Sequence, residues 1–81
     1  MVKKMKTYLT VMFNSEGEAP SKVSDTLMSM GFQPITGNYD YVYDWGTKAN
    51  IKEIIWFGDK VQAALKGAKV LFKLETTTNK E

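Results

Sequence analysis

Apolar residues recur at every second position in some stretches of this chain and at every third or fourth in others, the spacings of strands and of helix faces. Thr7-Tyr8-Leu9-Thr10-Val11-Met12-Phe13 is rich in β-branched and aromatic residues and predicts a first strand. Leu9, Val11 and Phe13 would face a core, with Tyr8, Thr10 and Met12 behind them. Asn14 to Ala19 is a polar loop containing Gly17. Pro20 suits the first turn of a helix, whose apolar face is Val23, Leu27 and Met30. Gly31 stands where a helix stops in a left-handed conformation, and Phe32 can close the apolar contact of such a cap. A second strand over Phe32 to Thr36 contains Pro34, which favours a sheet edge.

Gly37-Asn38 is a turn signal, and the third strand returns from it with Tyr39, Tyr41, Tyr43 and Trp45 at alternate positions. From Asn50 to Lys66, the residues Ile51, Ile54, Val61 and Leu65 fit one helical face, with Asn50 as cap and Gly67 as stop. Gly58 lies on that face; either it lets a single helix approach the sheet, the favoured reading, or Asp59 caps a second helix after it. Ala68 to Leu74 alternates again, with Ala68, Val70, Phe72 and Leu74 inward and Lys69, Leu71 and Lys73 outward. The order β-α-β-β-α-β, built from right-handed crossovers, predicts an α+β, ferredoxin-like sandwich. Its four-stranded antiparallel sheet would run 4-1-3-2, with both helices on one face.

The same element order serves RNA-recognition motifs, whose third strand stacks aromatic rings on bases. Phase argues against that use here. Presenting the tyrosines outward would turn Asn38, Asp40 and Asp44 into the core, at several kcal/mol for each unpaired carboxylate. The opposite orientation buries the rings and leaves both acids wet, with Tyr39 the ring most exposed.

Composition narrows the chemistry. Eighty-one residues make one small domain, with an ordered core expected over about 6–75, a loose basic start and a loose polar tail from Thr76. No apolar run is long enough to span a bilayer, and no secretory signal is recognisable, so a cytoplasmic protein without membrane contact is expected. The chain has no Cys, no His and no Arg; all 11 basic residues are Lys. Disulfides, thiolate metal sites, the commonest general base and bidentate phosphate clamps are thereby removed. The expectation is a protein that is not an enzyme and carries no cofactor.

Two sets of candidate residues remain. Burying the rings exposes the back of the sheet, where Tyr8, Met12, Val42 and Leu71 form an apolar middle between Lys69 and Lys73 on one side and Asp40 and Asp44 on the other. A two-fold axis through that face would set Lys against Asp. Asp40 and Asp44 lie about 13 Å apart along the strand, too far to chelate one ion within a subunit. In the first loop, Asn14, Ser15 and Ser21 are candidates for ligand contact, although Ser21 would also serve as a first-turn residue satisfying backbone donors. Trp56 falls off the helical stripe, at whose margin partial burial is expected. Lys3, Lys4 and Lys6 form a basic start that could touch nucleic acid weakly, with a solvated terminus the favoured reading.

Tyr8 to Phe13, Met30-Gly31-Phe32 and Tyr39 to Tyr43 together resemble the small proteins of the CRISPR-adaptation nuclease family and their antitoxin-like relatives. The resemblance covers the first half of the chain. It implies a dimer, and a metal-binding Asp at the end of the first strand. Asn14 stands about there, a poor ligand for Mg²⁺, so the resemblance implies an inactive member. Acylphosphatases share the topology but hold phosphate with an Arg that this chain lacks. The reading is a protein-interaction module, homodimeric through the open sheet face. The alternatives are a nucleic-acid-binding or nuclease-like relative of that family, and a regulatory domain that binds a small molecule.

Overall fold

A computed structural model describes residues 4–78. The elements follow the expected order: β1 (Met5–Met12), α1 (Pro20–Ser29), β2 (Gln33–Pro34), β3 (Tyr41–Gly46), α2 (Ile51–Leu65) and β4 (Leu71–Thr78). The strands form one antiparallel sheet in the order β2-β3-β1-β4, as in an α+β ferredoxin-like fold.

Local chemistry explains where the helices begin and end. Pro20 opens α1, and Gly31 closes it at φ +105°. There the Gly31 and Phe32 amides donate to Met28 and Leu27 oxygens at 3.0 and 3.1 Å, so the last carbonyls of the helix are satisfied. Phe32 then drops into the core, which is the apolar contact expected of the cap. The Asn50 side chain accepts from the Glu53 amide at 2.9 Å to start α2. That helix is continuous through Gly58. A Cβ at Gly58 would meet only Leu74 Cδ1, at 3.9 Å, so no close approach to the sheet requires glycine there.

Leu9, Val11, Val23, Leu27, Phe32, Tyr41, Phe57, Val61 and Leu65 make the core between sheet and helices. Tyr43 and Trp45 are half-buried against it, their rings 4.4 and 5.4 Å from that of Phe57. The helix-facing side of β3 is therefore the wall that the phase of the sequence implies. Thr7, 2% exposed, is the one buried polar residue of this layer among those described. Its Oγ1 accepts from Trp45 Nε1 and shares a hydrogen bond with Thr76 Oγ1, both at 2.7 Å.

Several positions depart from expectation. Phe13 lies past the end of β1 and is 44% exposed, because the chain has left the sheet before reaching it. In α2, Ile51 is 72% exposed and Trp56 59% exposed, the latter with Lys60 Nζ 4.9 Å above its ring; neither joins the buried stripe. Phe57 occupies the central place instead. The second strand shrinks to Gln33–Pro34. Thr76 to Thr78, read as tail, continue β4 and pair with Thr7, Lys6 and Met5. Asn79, Lys80 and Glu81 of that tail, and Lys3 of the basic start, lie outside the described residues.

Candidate interaction face and adjoining groove

The face of the sheet away from the helices is assembled from cross-strand rows. Lys6 lies opposite Asp44 and Thr77, Tyr8 opposite Val42 and Glu75, Thr10 opposite Lys73, and Met12 opposite Leu71. Beyond these rows the pairing turns on Asp40, which precedes β3. Its amide donates to Leu9 O and its Oδ2 accepts from the Val11 amide, both at 2.9 Å. The carboxylate thus supplies the next rung of a ladder that β3 does not reach. Alternation fails at this irregular step, and Tyr39 crosses to the open face. Its ring centroid lies 4.7 Å from that of Tyr8, and its hydroxyl donates to Glu75 Oε1 at 3.0 Å.

All four rings of the third strand therefore do not share a face: Tyr41, Tyr43 and Trp45 line the core, while half-buried Tyr39 lies over Tyr8. Tyr8 is in consequence only 8% exposed, and the apolar middle expected through it is covered. Val42 is half-buried. Asp44 stays exposed, with Oδ1 accepting from the Gly46 amide at 2.8 Å. Asp40 and Asp44 each have one oxygen held by a backbone amide, and among the described residues no three acidic or metal-binding side chains cluster as a metal site.

What remains open and apolar lies at one end. Met12 is 64% and Leu71 71% exposed, paired across β1 and β4, with Phe13 beside them. A groove of about 580 Å³ adjoins them, lined by Met12, Phe13, Asn14, Ser15, Lys69 and Leu71. Lys69 is off the sheet face: at φ +56° it turns the chain ahead of β4 and forms the rim of this groove. Lys73 is on the face, exposed and in register with Thr10.

The loop above the groove is built by its own polar groups. Asn14 Oδ1 accepts from the Glu16 amide and Asn14 O from the Gly17 amide, both at 2.9 Å. The Glu18 amide donates to Ala68 O at 2.8 Å, which ties the first loop to the segment entering β4. A Cβ on Gly17 would sit 2.6 Å from Ala68 O and 2.7 Å from Lys69 O, so only glycine permits this contact. Asn14 and Ser15 thus come together at the groove. Ser21 does not join them there: it is exposed in the first turn of α1, whose N-cap Ala19 has no side-chain cap bond.

Two features escaped sequence reasoning. Phe57 was recoverable from spacing, three residues after Ile54 and four before Val61. The Tyr39–Glu75 contact joins residues 36 apart in the chain and left no local signal. No family model, curated protein or solved structure matches this chain.

Proposed function

We propose that this protein is a non-catalytic interaction module that forms a homodimer through its open sheet face, at the end where β1 and β4 meet. The observation that supports it is the in-register pair Met12–Leu71, two large apolar side chains exposed side by side with Phe13 next to them. An apolar cluster rimmed by polar groups is the ordinary form of a protein contact. A two-fold axis near this pair brings the two clusters together, and Lys73 of each copy can then face the acidic β3 side of the other. Size-exclusion chromatography with light scattering tests this on the wild type and on Met12→Lys. A dimer that becomes a monomer in the variant is expected; a monomeric wild type refutes the proposal.

The groove favours a second reading, a regulatory domain for a small molecule. Asn14 and Ser15 set polar groups beside an apolar floor of Met12, Phe13 and Leu71. A metabolite panel screened for thermal stabilisation distinguishes it. A compound acting here raises the melting temperature of the wild type and not of Ser15→Trp, which fills the groove.

A further inference from the structure

β4 is the outer strand on its side of the sheet, and among the described residues it pairs only with β1. Its eight residues contain no proline, and the ladder from Met12–Leu71 to Met5–Thr78 holds a single register without a bulge. Alternate residues of a strand direct their N–H and C=O to opposite sides, so a row of backbone donors and acceptors faces outward along β4. The far edge of the sheet is protected in the usual ways: β2 is two residues long and includes Pro34. On the helix side β4 is not fully covered either. A groove of about 610 Å³ separates it from α2, lined in part by Gln62, Ala63, Val70 and Phe72.

The sequence of β4 specifies what fits. Its two charges, Lys73 and Glu75, flank Leu74 and point to the open face. Residues directly opposite in an antiparallel pair share a face, so self-pairing must be centred on a residue. A centre at Lys73 or at Glu75 sets like charges against each other. A centre at Leu74 sets Lys73 of each copy opposite Glu75 of the other, Phe72 opposite Thr76, and Leu71 opposite Thr77.

We infer that a second copy of this chain pairs with the outer edge of β4 in antiparallel register about Leu74, joining two four-stranded sheets into one of eight. This rests on the reading that the chain self-associates, and it moves the contact from the sheet faces to the sheet edges. Leu74 then lies on the two-fold axis, while the two Leu71 residues lie about 20 Å apart.

Cysteine cross-linking reads the difference directly, since the chain has no cysteine of its own. Under mild oxidation, Leu74→Cys is expected to give a covalent dimer and Leu71→Cys none. In sedimentation velocity, Lys73→Glu should weaken the dimer about tenfold, and Lys73→Glu/Glu75→Lys should restore it. Circular dichroism confirms that each variant is folded. Cross-linking of Leu71→Cys and not of Leu74→Cys overturns the edge pairing and leaves the face dimer standing; a dimer that Lys73→Glu leaves unchanged, or that the double exchange fails to restore, also overturns the edge pairing. A monomeric wild type removes both.

Discussion

Thr7 has a side chain of nearly the same shape as Val, and an apolar residue would fit its place facing the helices. Its value is the oxygen. The Trp45 indole N–H, directed into a half-buried layer, finds its acceptor there, and Thr76 joins the same hydroxyl. Thr7→Val keeps the shape and removes the acceptor. It is expected to cost about 1–3 kcal/mol, because the indole N–H loses its partner. Thermal unfolding should show this as a fall of about 4–8 °C per kcal/mol in a domain of this size, and tryptophan fluorescence should report a changed Trp45 environment. Asp40 is the other residue of this kind. Its exposed position was legible from the phase of the third strand, but its bond to the Val11 amide was not, because the sequence does not say where β1 will lie beside it.

At the scale of the element, α2 shows how far periodicity reaches. The cap at Asn50 and the buried positions Val61 and Leu65 were all readable. Ile51 matched the stripe and stands exposed, because it lies in the first turn, beyond the layer that the sheet can cover. Adjacent residues 56 and 57 then take opposite fates, and both are large aromatics. Phe57→Ala removes the ring that contacts Phe32, Tyr43 and Trp45 and should cost about 3–5 kcal/mol. Trp56→Ala removes a ring that is 59% exposed with Lys60 above it and should change stability by about 0.5 kcal/mol or less. Urea unfolding of the two variants measures the contrast; equal losses would show that Trp56 is held by something more than this lysine.

The whole molecule is closed by its last strand. β4 pairs with β1 along eight residues, and four of these pairs, involving Glu75 to Thr78, lie beyond the alternating segment that marks the strand in the sequence. Thr76 completes the Thr7 pair, and Glu75 receives Tyr39. A chain ending after Leu74 would lose these contacts together with half of the β1–β4 ladder. It should unfold at a clearly lower urea concentration than the full chain, by several kcal/mol if each lost backbone or hydroxyl hydrogen bond contributes about 1 kcal/mol. An unchanged midpoint would mean that the threonine stretch contributes nothing to the fold.

Sequence by itself determined the order of elements, the strand order, the Gly31 and Asn50 helix ends, and the direction in which Tyr41, Tyr43 and Trp45 face. Each follows from local sterics or from the periodicity of a half-buried element, and such preferences are written in neighbouring residues. Only the tertiary structure decided that Tyr39 crosses the sheet to cover Tyr8. It also decided that Phe13, Ile51 and Trp56 stay exposed, and that β4 runs on to Thr78 with, among the described residues, only β1 beside it. Apolar character states which residues favour burial; two short helices cover a limited area, and contacts between residues distant in the chain settle which of them obtain it. Tyr41, Tyr43 and Trp45 proved to be a wall of the core, while among the described residues the Met12–Leu71 end and the outer edge of β4 stay uncovered.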